Sequence, residues 1–309
     1  MALLLSSISQ GLLWAIMAIG VYLTFRILNV ADLTAEGSFP LGAAVSTSLI
    51  VNGVAPWLSV LIALLGGMAA GLVSGFLYTK WKIPALLSGI ITMTGLYSIN
   101  LRVMGQANIS LLGEGTLIRT VESFGLNKTN AVLLVGSIAV GLVILALHMF
   151  FHTEVGLAIR STGDNNEMSE ANGIRTNVMK VIGYMLSNGL IATSGALLAQ
   201  NNGYADISMG IGTIVIGLAS IIIGEVFFRN LSIAKRLLTV VLGSVIYRLL
   251  ILIVLEMNVN PQDLKVFSAI LLALALRLPA VQDKLSKPKK KVKSTKTTKK
   301  GGALSWLQR

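Results

Sequence analysis

The chain has no cysteine and only two histidines among its 309 residues. Disulfides, thiolate metal sites and cysteine nucleophiles are therefore excluded. His148 and His152 sit at the end of one apolar stretch and are not read as a metal site, because histidine is common where helices leave a bilayer. Charge is scarce as well: 12% of residues are charged, 54% are hydrophobic, and the mean hydropathy is +0.78. A water-soluble domain of this length does not have that composition. The dipeptide Gly-Lys never occurs, so no GxxxxGK[ST] phosphate loop is present. Gly-x-Ser-x-Gly, His-Glu-x-x-His and clustered-carboxylate patterns are missing too, which leaves no catalytic centre and no cofactor to assign to this chain. Energy for any active process must come from another chain or from an ion gradient.

What the chain does hold is a series of apolar windows near the length of about 20 residues that a helix needs to cross a hydrocarbon core. Nine segments are read: 3–28, 38–51, 56–79, 85–103, 131–151, 178–200, 207–228, 233–256 and 262–279. The fold class expected is an all-α polytopic membrane protein with about 8–10 transmembrane helices. No cleavage pattern follows the first segment, so it is expected to stay as a membrane helix. Gly67, Gly71 and Gly75 fall on one face of the third segment, a spacing that lets a neighbouring backbone come close and implies helix packing.

Residues 284–309 carry nine lysines and one arginine with no acid, so of the net charge of +12 only +2 belongs to the rest. This tail cannot build a packed core. It suits either attraction to anionic membrane lipids or a topogenic, solubilising role, and nothing points to nucleic acid. Positive charge marks the cytoplasmic side. Counting spans back from a cytoplasmic C-terminus places Lys235 and Arg236, Arg160 and Arg175, Lys80 and Lys82, and Arg26 on that same side. The N-terminus then comes out external.

Two stretches resemble each other: "ADLTAEGSFPLGAAVS" (31–46) and "ADISMGIGTIVIGLAS" (205–220), with Pro84 and Pro261 opening later segments in each half. An odd number of spans separates them, so the halves, about 1–103 and 178–279, should cross the bilayer in opposite directions. Inverted repeats of this kind mark transporters. Segment 38–51 would be only about 21 Å long, too short to span alone, and is read as a discontinuous helix. The acids and hydroxyls ahead of it can be read as a gate or as an ordinary helix N-cap. The candidate pathway or gate residues are Asp32, Thr34, Glu36, Ser38, Gly42, Thr92, Thr94, Asn188, Asp206 and Ser208. Arg248 is costly in lipid and should find a partner, with Glu225 or Glu256 as candidates. Glu225 and Arg229 have the spacing of a helical ion pair.

The longest informative interruption runs from His152 to Asn177, "HTEVGLAIRSTGDNNEMSEANGIRTN". Its Gly156, Arg160, Gly163, Asn165, Ala171, Gly173 and Ile174 resemble the cytoplasmic coupling segment of bacterial ABC importer permeases of the branched-chain amino acid, ribose and nucleoside type. The likeness extends to "NVADLTAEGSFPLGAAVS" and to "IGLASIIIGE", and covers roughly residues 8–278. The subgroup it is closest to is linked to amino-acid uptake.

The resemblance implies a permease domain, 1–283, in the bacterial plasma membrane, followed by the basic tail. It implies a homodimer of permease subunits, a cytoplasmic ABC ATPase dimer that binds ATP and Mg, and an external solute-binding lipoprotein. The loop would then be a short helix seated in an ATPase groove. In that picture Gly156, Gly163 and Gly173 set the turns at its ends, Arg160 and Asp164 make polar contacts, and Ala158, Met168, Ala171 and Ile174 form a small apolar face. The alternatives are a gradient-driven secondary transporter, an ABC permease for a sugar or nucleoside, and a membrane enzyme, the last disfavoured by the missing acid–base constellation.

Overall fold

The computed structural model describes residues 2–227, 233–257, 259 and 263–286. Arg229, Pro261 and the lysine tail from residue 287 onward lie outside the described residues. Twelve α-helices follow in chain order: α1 (Ala2–Tyr22), α2 (Ala35–Val51), α3 (Pro56–Thr79), α4 (Ala85–Met104), α5 (Leu117–Glu122), α6 (Lys128–Phe151), α7 (Glu154–Asp164), α8 (Asn166–Ala171), α9 (Thr176–Asn202), α10 (Thr213–Phe227), α11 (Ile233–Glu256) and α12 (Leu264–Ser286). Every expected membrane segment carries one of them. Seven helical stretches are long and apolar enough to cross a membrane. The protein is an all-α polytopic membrane protein. The expected gap between residues 104 and 130 is not bare loop, since it holds α5 and the strand β1 (Asn108–Ser110), which pairs antiparallel with β2 (Tyr204–Asp206) in the register Asn108↔Asp206.

Helix α9 is the centre of the bundle because its sequence is rich in glycine, serine and alanine. Without a hydrophobic driving force between helices in lipid, close backbone approach and interhelical hydrogen bonds hold them together. A side chain at Gly67 or Gly71 of α3 would overlap the Asn188 or Tyr184 carbonyl oxygen of α9, and one at Gly75 would meet the Val181 Cα at 3.1 Å. One at Gly42 of α2 would strike the Ala192 backbone, and one at Gly195 of α9 would overlap the Phe39 carbonyl oxygen. On the α1 side the Ser187 hydroxyl donates to the Gly20 carbonyl at 2.7 Å and that of Ser194 to Leu13 at 2.8 Å. Leu13, Ile16, Met17 and Ile19 of α1 complete the core with Ile191, Leu198, Ile221 and Leu237.

Helix α1 ends in a π-helical turn, Leu23–Ile27, closed by the Leu28 N–H on the Leu23 carbonyl at 3.0 Å. The chain then doubles back toward the middle of α9 before α2 begins. The two similar stretches fold alike at this point. Asp32 accepts from the Thr34 N–H at 2.9 Å, and Asp206 accepts from the Ser208 N–H at 2.7 Å. Each turn leads to a short helix: α2 has 17 residues and α10 has 15, the latter reaching span length only together with the helical turn Ile207–Gly210 ahead of it. The helices start beside one another, where the Gly212 N–H donates to Glu36 Oε1 at 3.0 Å, and they run apart: α10 to Glu225 beside Arg26, α2 to Ser46 beside Gln200.

Candidate functional site

Three regions of the structure hold the candidate residues. The first is a sealed polar cluster beside the middle of α9. Asn188 is its hub: its amide donates to Asp32 Oδ2 at 2.8 Å and to the Tyr184 carbonyl at 3.0 Å, and its Oδ1 accepts from the Ser38 hydroxyl at 2.7 Å. The Thr34 hydroxyl donates to Ser74 Oγ at 2.8 Å, which ties the turn to α3. Asp32, Thr34, Ser38 and Asn188 are all buried. Asp32 is thus neither a solvated N-cap nor an open lining. It pins the doubled-back segment to α9, and in a low dielectric such a carboxylate persists only with its acceptor positions filled.

The other pathway candidates do not join this cluster. Glu36 holds the start of α10, and Gly42 is a packing contact on α9. Thr92 donates to the carbonyl of Ser88 in its own helix and lines an apolar groove of about 550 Å³ between α2, α3 and α4, walled by Leu41, Val45, Ala70 and Leu96. Thr94 lies on the exposed face of α4 and bonds back to Ile90. Asp206 and Ser208 sit at the opposite end of the bundle from Arg26, joined to Asn108 on β1. The Asp206 carboxyl is held below the usual range, mainly by the Ser208 hydroxyl.

The third region is the His152–Asn177 loop, which folds as two helices rather than one. Thr153 caps α7 by accepting from the Gly156 N–H at 3.3 Å, and Asn165 caps α8 by accepting from Met168 at 2.9 Å. Ser161 and Ser169 clip the pair together at 2.7 Å. Glu170 then accepts from the Thr176 hydroxyl at 2.6 Å and from Asn166 at 3.0 Å, which fastens α8 to α9 and lowers the Glu170 pKa.

The expectation that Gly156, Gly163 and Gly173 mark turns holds only for Gly173, whose φ is +81°. Gly156 and Gly163 lie inside α7. A Cβ at Gly156 would overlap the Phe150 carbonyl oxygen, and one at Gly163 the Ile27 carbonyl oxygen. Their job is close approach: Gly163 lets α7 rest on the π-turn of α1. Arg160 is half-buried and Asp164 exposed. The outward apolar surface consists of Val155, Leu157 and Met168 together with Ala171, while Ala158 and Ile174 are half-buried.

The same end of the bundle carries contacts that the sequence did not suggest. Arg26, on the π-turn, makes a two-pronged ion pair with Glu225 at the end of α10, with Nε donating to Oε1 at 2.7 Å. Glu225 pairs with Arg26, while the expected partner Arg229 lies outside the described residues. Lys180 lies 5.5 Å from the Tyr78 ring. Arg248 pairs with neither Glu225 nor Glu256; its guanidinium lies over the Trp14 ring at 4.7 Å. His148 and His152 stack edge to face at 4.4 Å, and no set of three metal-ligating side chains comes together among the described residues.

A helical bundle with paired short helices, a polar cluster sealed at mid-depth and an exposed two-helix element at one end belongs to a multi-pass membrane permease. Residues 3–276 match the family described as branched-chain amino acid transport system / permease component, and the chain belongs to that family. It is an ABC importer permease. The chain is 38% identical to a tyrosine transport system permease protein of Clostridioides difficile over 87% of its own length and 88% of that protein's. It is also 26% identical to a probable branched-chain amino acid transport permease protein, LivH, of Methanocaldococcus jannaschii, over 60% and 62% of the two chains. PsaBC from Streptococcus pneumoniae, solved in complex with Fab, shares the fold with a TM-score of 0.51 at 12% identity, covering 91% of this chain and 94% of that one.

Proposed function

We propose that this chain forms the translocation pathway of an ATP-driven amino-acid importer, works as a homodimer, and receives motion from a cytoplasmic ATPase dimer through α7 and α8. The tyrosine permease relative favours an aromatic amino acid as solute over a sugar or nucleoside. ATP and Mg belong to the ATPase chains, an external lipoprotein delivers the solute, and the permease itself catalyses nothing. The end bearing Arg26, Lys80, Lys82, Lys180 and α7–α8 faces the cytoplasm, the C-terminus with it, and the N-terminus lies outside.

The observation that carries this reading is the seating of α7. Capped, clipped to α8 and fastened to α9, the helix pair moves as one body, and Gly163 presses it directly onto the backbone of the π-turn. π-Helical turns occur frequently at functional sites. Displacing it shifts Arg26 and, through the ion pair, the end of α10; it also shifts Leu28, which packs on Ile159 and Tyr184 next to the Asp32–Asn188 cluster. A push at one end thus reaches the short helices of both repeats.

The test is co-purification with the candidate ATPase in detergent. Leu157→Glu combined with Met168→Glu charges the exposed apolar face, at positions 51% and 56% exposed, without disturbing the interior. The double variant should lose the ATPase by about tenfold or more while keeping its melting temperature. Retention of the ATPase at the wild-type level would remove the helix pair as the docking element.

A further inference from the structure

Among the described residues, Arg248 is a cation in a membrane-spanning helix with no anionic partner. It sits on the α11 face that packs against α1, one turn beyond Ser244, whose hydroxyl donates to the Gly11 carbonyl at 3.0 Å. Its guanidinium lies 4.7 Å from the centre of the Trp14 ring, and Trp14 in turn stacks on Phe39 of α2 at 5.3 Å and 23°. Arg248 makes no hydrogen bond and no ion pair among the described residues. Its Nε is buried without an acceptor, and so is the indole Nε1 of Trp14. Two donors from two helices therefore lack an acceptor at the same place. An intramembrane arginine in this state is costly and calls for an anionic partner.

Direction narrows what that partner is. Side chains on a helix lean toward its N-terminus. Arg248 lies nearer the Glu256 end of α11 but leans toward the Ile233 end, deeper into the bundle and onto Trp14 of α1. A residue reaching for the nearer headgroup layer would lean the other way. Phe39 stands one turn along α2 from Glu36, where the two short helices begin side by side. Arg248 and Trp14 each keep some exposed surface, although the Arg248 Nε and the indole Nε1 are themselves buried.

We infer that Arg248 and Trp14 bind the carboxylate of the transported amino acid beside the junction of α2 and α10, with the Trp14 ring, backed by the buried Phe39, as an aromatic wall. Arg248 supplies charge-assisted donors to the carboxylate, and Trp14 adds one neutral N–H donor. This rests on the amino-acid reading above and adds a specificity-determining residue to it.

The experiment is equilibrium binding of labelled L-tyrosine to the permease–ATPase complex in nanodiscs, without the binding protein, with L-tyrosine amide as competitor. Arg248→Gln should weaken binding by about tenfold or more, Arg248→Lys less, and Trp14→Phe by a few-fold. L-Tyrosine amide should not compete. Melting temperature should not fall below the wild-type value in any of the three variants, which separates lost binding from lost fold. Equal binding by wild type and Arg248→Gln, or full competition by the amide, overturns the assignment and leaves the importer reading intact. A wild-type complex that binds no L-tyrosine, L-phenylalanine or L-leucine but moves a nucleoside overturns the amino-acid reading itself. Loss of a retained phospholipid from Arg248→Gln in native mass spectrometry, with L-tyrosine binding unchanged, assigns the anion to a lipid phosphate and overturns the solute assignment.

Discussion

Asp32 and Asp206 make the same turn in two different solvents. In each, one carboxylate oxygen accepts the N–H of a hydroxyl residue two positions on, and the other accepts an asparagine amide from a distant element: Asn188 at 2.8 Å for Asp32, Asn108 at 3.2 Å for Asp206. The turn hydroxyls differ in use. Thr34 reaches across to Ser74 of α3, whereas the Ser208 hydroxyl turns back onto its own aspartate. Asp32 is 4% exposed beside the centre of α9, and Asp206 is half-open at the edge of the β-ribbon. Similar local sequence thus carries different weight. The buried turn is an interhelical joint whose acceptors have no water to fall back on, while the outer turn is a cap that water can replace.

Removing both carboxylates tests that contrast most strongly. Asp32→Ala leaves one Asn188 N–H and the Thr34 N–H unpaired in the interior and should cost about 3 kcal/mol, against about 1 kcal/mol for Asp206→Ala. Reversible unfolding in mixed micelles measures both, and equal losses would break the comparison. Removing the asparagines sharpens it. Asn188→Leu takes away the hub that joins Asp32, Ser38 and the Tyr184 carbonyl and should cost about 2 kcal/mol, whereas Asn108→Leu should stay within about 0.5 kcal/mol of wild type in the same assay.

The membrane class, the span positions and the long polar loop from His152 to Asn177 were legible because each rests on a run of neighbouring residues. Hydropathy windows show helices, and the Ala-Asp-x-Thr/Ser echo marks two turns that do fold alike. The contacts that join the regions were not legible, since they bring together residues far apart in the chain. Nothing near Arg26 points to Glu225, and nothing near Asn188 points to Asp32. Glycine was the clearest source of error. A glycine needed for positive φ, such as Gly173, and one needed for close approach inside a helix, such as Gly163, look the same in a loop motif. Only the position of Ile27 tells them apart. The break between α7 and α8 could have been found, because Asn165 with Glu167 just after it has the form of an N-cap and an acidic first turn inside an otherwise continuous pattern.

The smallest expected effect isolates the charge of the outer turn. The Asp206 pKa is depressed by the Ser208 hydroxyl, and further by the Ser208 N–H and the Asn108 amide, against a modest opposing effect of burial. A folded-state pKa below the unfolded one gives stability that is complete above the ordinary aspartate value of about 3.9 and is lost as pH falls through the folded value. The group is largely in water, so screening keeps the contribution small. Asp206→Asn retains an acceptor for the Ser208 N–H but no longer titrates. Its unfolding midpoint should match wild type within error near neutral pH and should fall less steeply than wild type below about pH 4. An acid limb of equal slope in both proteins would mean that the outer turn works as a neutral cap. The depressed carboxyl would then contribute nothing that an amide does not, and the difference between the two turns would lie entirely in burial.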